Sequence, residues 1–180
     1  MIKKLIHQFI NKVEKNQVEI YNEFSLQHEL GIFLREQLKD YKVQFERNTK
    51  SFNISNTIKH EIDIVVHNDN EKYAIELKYP NNGQYPEQMY SFVKDINFME
   101  QLKSYGFNGA YCLTMVKDKN FYSGNKKDGI YSYFRGSSML SGTIKKPTGK
   151  IAESIQLKNS YQINWNALSN ELNYYIIDAR

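Results

Sequence analysis

The chain has 180 residues, with 24 Lys and Arg against 20 Asp and Glu and a formal net charge of +4. Its length fits one domain, and a hydrophobic fraction of 41% supplies a core and excludes a disordered chain. The single Cys excludes an internal disulfide and a cysteine-based zinc site. Without a long apolar run or a leader-type cleavage site, we expect a cytoplasmic protein that has no membrane partner.

The first two predicted elements are amphipathic helices. The first helix has i, i+3, i+4 spacing at the apolar positions Ile2, Leu5, Ile6, Phe9, Ile10 and Val13. The second begins near residues 22–25, where Asn22 and Ser25 can each cap a helix. Its apolar stripe consists of Leu26, Leu30, Phe33, Leu34 and Leu38. Glu29 lies at the margin of this stripe, where a carboxylate can reach over the edge of the core.

Strands and one long helix follow. Tyr41, Val43 and Phe45 alternate with polar residues, which predicts a strand before a polar loop. The later elements are strands over residues 58–67 and 72–78, a helix over 87–105 that stops at Gly106, and strands over 110–116, 154–165 and 172–177. This order predicts a mixed α/β domain.

The hairpin around residues 68–71 carries the candidate chemistry. If these four residues form the turn, Asp63 lies opposite Glu76, and Glu61 lies opposite Lys78. Because side chains alternate along a strand, Asp63, Glu76 and Lys78 share one face of the hairpin. The other face is then formed by Ile62, Ile64, Ile75 and Leu77.

Two carboxylates that face each other repel, and their burial adds a desolvation cost. A divalent cation reverses this balance, and Mg²⁺ prefers oxygen ligands, often one or two carboxylates with water and phosphate. Lys78 would hold a scissile phosphate or the attacking water. The pattern therefore indicates metal-assisted phosphodiester hydrolysis. The alternative is an ordinary surface ion pair between Glu61 and Lys78, which leaves Asp63 at a sheet edge. The acid–x–Lys spacing alone does not decide between a metal site and a surface ion pair, since the same spacing also occurs at residues 40–42.

The hairpin residues Asp63 and Glu76-Leu77-Lys78, between two helices, resemble the PD-(D/E)XK nuclease superfamily, which includes restriction endonucleases and Holliday-junction resolvases. The resemblance covers about residues 22–116 and departs from the family in having Ile62 where a Pro usually precedes the Asp. It implies a restriction-endonuclease-like mixed β-sheet core flanked by helices. Residues 151–180 would add a C-terminal β-rich extension to this single nuclease-like domain.

The same resemblance implies the roles of the site residues. Asp63 and Glu76 would bind Mg²⁺ or Mn²⁺, with the backbone carbonyl of Leu77 as a further ligand. Lys78 would orient the water, and Glu29 would complete the site from the first core helix. Glu23 is a weaker candidate for that helix carboxylate.

Residues 117–150 carry eight basic residues and two acidic ones, a net charge of +6, whereas the rest of the chain has 16 basic and 18 acidic residues and a net charge of −2. The basic residues are Lys117, Lys119, Lys126, Lys127, Arg135, Lys145, Lys146 and Lys150. Because glycines and aromatic residues are interleaved with these charges, we expect this segment to be flexible and to contact the phosphate backbone. A solvated loop is the alternative. In the predicted helix over residues 87–105, the family resemblance implies Gln101 as a further contact with nucleic acid; the alternative is an ordinary exposed helix residue.

The prediction for function is a Mg²⁺-dependent endonuclease that acts on nucleic acid, most naturally DNA. Duplex cutting would favour a homodimer, because one such site attacks one strand. A second hypothesis is a non-catalytic nucleic-acid-binding or accessory module that retains the nuclease fold. A third is a retaining glycosidase, whose two carboxyl groups lie at a similar separation.

Overall fold

The computed structural model describes residues 1–149, 152–169 and 171–180. Within these residues, a six-stranded mixed sheet has helices on both faces, beside a separate two-stranded sheet. The helices are α1 (Ile2–Glu14), α2 (Glu23–Gln37), α3 (Tyr85–Ser104) and the short α4 (Tyr131–Phe134). The strands are β1 (Lys42–Asn48), β2 (Glu61–His67), β3 (Lys72–Lys78), β4 (Gly109–Val116), β5 (Leu140–Lys145), β6 (Ser154–Tyr161), β7 (Asn166–Ala167) and β8 (Asn173–Asp178).

The main sheet has the strand order β1-β2-β3-β4-β8-β7. Strands β1, β2 and β3 form an antiparallel meander, and β4 is parallel to β3. Helix α3 makes the crossover between these two strands, as a parallel pair requires. Strand β8 pairs with β4, so part of the predicted C-terminal extension belongs to the main sheet, and β6 pairs with β5.

The side chains of the sheet alternate between two apolar clusters. One face packs Ile64, Ile75 and Leu113 against α1 and α2. The other face packs Val65 and Cys112 against α3 and the β5–β6 sheet. Cys112 is buried in this second cluster as a free thiol.

The predicted helix ends have clear physical causes. The Asn22 side chain accepts a hydrogen bond from the Ser25 backbone N–H at 2.7 Å, and the Ser25 hydroxyl accepts one from the Asn22 N–H at 3.1 Å. This capping box starts α2. Gly106 follows α3 with a φ of +82°, a conformation that glycine adopts without strain. Helix α3 starts two residues earlier than predicted, because Pro86 is tolerated in a first turn.

Two local predictions are wrong. Strand β2 begins at Glu61 rather than at residue 58, because the backbone N–H of Ile58 bonds to the Gln101 side chain on α3 instead of a strand. Ile62 packs in the α3 cluster rather than with Ile64, because β2 loses its regular pairing at Asp63.

The expectation of a flexible basic segment is also wrong for its described part. Residues 117–149 contain α4, β5 and a short 3-10 turn at Lys119–Phe121. The apolar residues between the lysines are buried in the α3 cluster, namely Phe121, Ile130, Phe134, Leu140 and Ile144. Their burial folds the segment onto the domain and leaves the lysines at its surface. No helix in the described parts of the chain has the length and apolar character needed to cross a membrane.

Candidate active site

The candidate site lies where β2 and β3 separate. The predicted hairpin register is confirmed, with Val66 opposite Tyr73 and Ile64 opposite Ile75, and regular pairing ends there. Beyond that point a side chain joins the strands. The Leu77 N–H donates to Asp63 Oδ2 at 2.7 Å. In the other direction, the Asp63 N–H donates to Glu76 Oε1 at 3.3 Å.

Strand β1 is also irregular beside Asp63. Its pairing with β2 includes Phe45–Ile64 and Arg47–Ile62 but passes over the position between them. Glu46, at that position, has a φ of +47°, in the left-handed region that favours glycine. Asp63 therefore sits at an opening in the sheet, with its backbone carbonyl accepting a hydrogen bond from the Gln27 side chain at 2.9 Å.

Burial makes the two facing carboxylates costly to ionise. Glu76 is 1% exposed, and burial followed by the charge of Asp63 raises the pKa of Glu76 well above its usual range. Burial also raises the pKa of Asp63 to about 6, although Lys78 and Lys59 oppose this shift. Positive charge placed near this pair would lower both pKa values and stabilise the ionised forms.

Lys78 lies within this group. Its Nζ is 3.4 Å from Glu23 Oε1, 3.6 Å from Asp95 Oδ2 and 3.0 Å from the Leu77 carbonyl oxygen. Burial alone would lower the pKa of Lys78, but Asp95, Glu23 and Asp63 together raise it above its ordinary value. The side chain therefore stays an ammonium group. Among the described residues its ion-pair partners are Glu23 and Asp95, so the surface pair with Glu61 does not form.

Helix α2 supplies a different glutamate from the one predicted. Glu23 Oε2 accepts a hydrogen bond from the Tyr79 N–H at 3.1 Å, and Gln27, one turn later, contacts Asp63. Glu29 follows Gln27 by two residues, about 200° around the helix, and so lies on another side of α2. The placement of Glu29 in the site is therefore corrected. Glu23, the weaker candidate, is the α2 carboxylate that reaches the hairpin.

Two residues of this cluster were not predicted, Lys59 and Asp95. The Lys59 ammonium pairs with the Glu76 carboxylate and lies 2.8 Å from Asp95 Oδ1. Burial opposes its charge, but Asp95 and Glu76 raise the pKa of Lys59 above its ordinary value. Asp95 was detectable in the sequence, because it is an acid within the apolar stripe of α3. Lys59 lies in an irregular loop and had no such signal.

The charges of the cluster do not cancel. Four carboxylates (Glu23, Asp63, Glu76 and Asp95) surround two ammonium groups (Lys59 and Lys78), which leaves a formal charge of −2 if all are ionised. Asp95 is 2% exposed, and its Oδ2 accepts no hydrogen bond from any described residue. In its fully ionised form the cluster would thus carry the excess negative charge that one divalent cation neutralises, and a bound cation would favour that form.

The carboxylate oxygens of this cluster could supply part of the ligand shell of Mg²⁺. In the described part of the chain, no three His, Cys, Asp or Glu side chains form a group that could hold a metal ion by themselves. Mg²⁺ commonly needs only one or two carboxylates, with water and substrate phosphate as its other ligands. Asp63 and Glu76 are the two carboxylates that could serve in this way, with the Leu77 carbonyl as a further oxygen. In this structure the carbonyl accepts its hydrogen bond from Lys78 instead.

The site opens to solvent through a small cavity of about 250 Å³ beside α2. Its wall includes Asp63 and Leu77 from the hairpin, with Glu23, Phe24 and Gln27 from α2. Of the two hairpin carboxylates, Asp63 is the one that lines this cavity, beside Glu23 and Glu46. Glu76, almost fully buried, lies behind it.

The predicted nucleic-acid contacts fall into two groups. The lysines at the surface of the basic segment are exposed: Lys117, Lys119, Lys126, Lys127 and Lys145. Lys146 is half-buried and pairs with Glu153 at 3.0 Å. Lys150 lies outside the described residues.

Arg135 and Gln101 instead hold the fold together. The Arg135 guanidinium donates to the Asn120 backbone carbonyl at 2.8 Å from Nε and lies 4.1 Å from the centre of the Tyr131 ring. Gln101 Oε1 accepts from the Ile58 N–H at 2.8 Å, which anchors the loop that carries Lys59. The structure thus assigns both side chains internal contacts.

No protein-family model, curated protein or solved structure matches this chain. The structure shows a mixed α/β fold with a mostly antiparallel, partly parallel sheet between helices. What the site does is therefore inferred from its own residues.

Proposed function

We propose that this chain is a metal-dependent nuclease of the PD-(D/E)XK type that hydrolyses phosphodiester bonds, with DNA as the expected substrate. The observation that carries the proposal is the arrangement of Asp63, Glu76 and Lys78. Two carboxylates with raised pKa values meet where two strands separate, and a half-buried ammonium group lies beside them. A purely structural role does not require the repulsion between these carboxylates.

Asp63 and Glu76, with the Leu77 carbonyl, would hold Mg²⁺ or Mn²⁺. When bound there, the ion supplies positive charge and polarises the scissile phosphate. Glu23 takes the place expected of Glu29, since it already contacts Lys78 at the mouth of the site. The net charge of −2 that the cluster carries when its acids are ionised is the electrostatic reason for cation binding.

Lys78 acts in this site as a cation and a hydrogen-bond donor. Its raised pKa means that it cannot accept a proton from the attacking water at neutral pH. It can orient that water and stabilise the negative charge that develops on the phosphate. The Asp95 carboxylate pairs with both Lys78 and Lys59, and so positions their ammonium groups.

The exposed lysines of the basic segment would bind the phosphate backbone. Lys126 also lies 5.3 Å from the centre of the Tyr131 ring that Arg135 contacts. Phosphate contacts from exposed lysines are sequence-independent. Binding should therefore weaken steeply as salt is added. Cutting of both strands of a duplex would require two copies of the site, which a homodimer would supply.

A specific observation favours a second candidate, a non-catalytic nucleic-acid-binding module with the same fold. Lys59 already pairs with Glu76 and Asp95, so part of the negative charge is neutralised without a metal. Such a module would bind nucleic acid in a salt-sensitive way and would not cleave it.

Cleavage assays separate the two candidates. Single-stranded DNA, duplex DNA, branched DNA and RNA are each incubated with Mg²⁺, with Mn²⁺ and with chelator. We expect metal-dependent cleavage that falls at least about 100-fold in Lys78→Ala and in Asp63→Ala. The matched control is Lys42→Ala, because Asp40-Tyr41-Lys42 has the same acid–x–Lys spacing and Lys42 is exposed outside the site. Retained cleavage in Lys78→Ala would overturn the assignment.

A further inference from the structure

The first turn of α2 exposes an aromatic ring beside the candidate site. Phe24 is 62% exposed, although a side chain of this size gains most from burial. It lines the same cavity as Asp63, Glu23 and Leu77. The nuclease chemistry proposed above makes no use of this ring.

Other rings support Phe24 from behind. Its ring centre lies 4.2 Å from that of His28, one helical turn later, at an interplanar angle of 46°. His28 in turn lies 5.8 Å from the ring of Phe45 in β1. A chain of three rings thus connects Phe24 to the sheet. This contact restricts the position of the Phe24 ring while most of its surface stays open to solvent.

We propose that Phe24 is a stacking platform for an unpaired nucleobase next to the scissile phosphate. The inference rests on the proposed function and specifies its substrate class. Bases stack on exposed aromatic rings without sequence preference. In an intact duplex the neighbouring bases cover both faces of each base, so contact with Phe24 requires an unstacked base. The site would therefore act on single strands, or on unpaired ends and junctions.

The position of Phe24 matches this role. Phe24 follows Glu23 directly in the chain, and Glu23 contacts Lys78, the residue proposed to orient the water. A nucleotide with its phosphate near Asp63 would thus have its base next to the Phe24 ring, which lines the same cavity. The stacking surface and the hairpin carboxylate thus lie side by side in the wall of one cavity.

The test measures binding of a labelled single-stranded oligonucleotide and of a blunt duplex of the same sequence, in chelator so that no cleavage occurs. The variants are Phe24→Ala and Phe24→Trp. The control is Ile32→Ala, which removes another exposed apolar side chain (48% exposed) from α2 outside the cavity wall. A 2-aminopurine base in the single strand reports stacking directly. Thermal unfolding of each variant confirms that it is folded.

We expect Phe24→Ala to weaken single-strand binding by roughly 5- to 100-fold and to change duplex binding by less than about twofold. Phe24→Trp should retain binding and the 2-aminopurine signal. Equal loss on both substrates, no loss on either, or the same loss in Ile32→Ala would overturn the inference. A Phe24 that serves as a docking point for a protein would give the second of these results.

Failure of the proposed function gives a different pattern. If Phe24→Ala behaves as expected but the wild type cleaves nothing with Mg²⁺ or Mn²⁺, the platform is supported and the nuclease activity is refuted. If the wild type cleaves and Phe24→Ala binds and cleaves single strands like the wild type, only the stacking platform is refuted. If the wild type neither binds nor cleaves nucleic acid, both are refuted.

Discussion

Asp63 Oδ2 accepts a hydrogen bond from the Leu77 N–H at 2.7 Å, just beyond the last regular pair of β2 and β3. A side chain thus replaces strand pairing at this point. The contact brings the carboxylate against the backbone of the acid–x–Lys segment. The two acids meet where the strands begin to separate, so the candidate site is confined to this end of the hairpin.

The raised pKa of Asp63 predicts a gain in stability when its charge is removed. The ordinary Asp pKa is 3.8, and in the folded chain it is about 6. Between these values the folded state binds more protons than the unfolded state, so the free energy of unfolding falls as pH rises through this window. Asp63→Asn can keep the Leu77 hydrogen bond and should raise the free energy of unfolding at pH 7 by about 3 kcal/mol.

Urea unfolding in chelator at pH 7 and at pH 4 checks this. The gain should shrink towards zero at the lower pH, where Asp63 is protonated in the folded state. Asp69→Asn, in the exposed hairpin turn, is the control and should change little. If Asp63→Asn is less stable than the wild type at pH 7, the ionised Asp63 carboxylate is stabilised by its neighbours in the folded chain, contrary to this prediction.

Removal of Lys59 should destabilise the protein and increase its response to divalent cations. Lys59→Met leaves Glu76 and Asp95 without their nearest cation, and loss of one partner of a buried ion pair costs about 3 kcal/mol. Added Mg²⁺ should raise the melting temperature of the variant more than that of the wild type. Lys50→Met, at an exposed position, serves as control. An equal Mg²⁺ response in variant and wild type would speak against cation binding here.

Glu23 and Glu29 should differ in their effect on cleavage. Glu23 contacts both Lys78 and the Tyr79 N–H, so Glu23→Gln should lower metal-dependent cleavage by about 10-fold or more. Glu29→Gln should leave cleavage within about twofold, because Glu29 lies on another side of α2. Cleavage rates at saturating Mg²⁺ decide between them, and a larger effect of Glu29→Gln would refute the placement of α2.

Substitution of Arg135 should lower the stability of the fold, whereas substitution of Lys127 should weaken binding to DNA. Arg135→Ala removes the hydrogen bond to Asn120 and the contact with Tyr131, and should lower the free energy of unfolding by about 1–2 kcal/mol. Lys127→Ala, at an exposed position, should leave stability unchanged.

DNA binding at several salt concentrations completes the comparison. A phosphate contact from Lys127 predicts weaker binding and a salt slope reduced by about 1 in the variant. An unchanged slope would exclude Lys127 from the DNA contact surface.

The sequence alone determined the hairpin and the first helices. The four-residue turn sets the register of β2 and β3 as far as Ile64 and Ile75, which brings Asp63 next to Glu76, and the capping pair Asn22 and Ser25 starts α2. These features depend on the covalent geometry of neighbouring residues, which repeats every two residues in a strand and about every 3.6 in a helix. Short-range spacing therefore carries the information.

Tertiary structure decided which other residues join the two acids. Glu29 and Glu23 are both plausible from helix spacing, and only the docking of α2 against β3 turns Glu23 towards Lys78. Lys59 reaches Glu76 across 17 residues of chain and Asp95 across 36. No local periodicity encodes such contacts, because they depend on how whole elements pack. The basic segment shows the same division, since its charge is visible in the sequence but its folding depends on apolar residues that bury against α3.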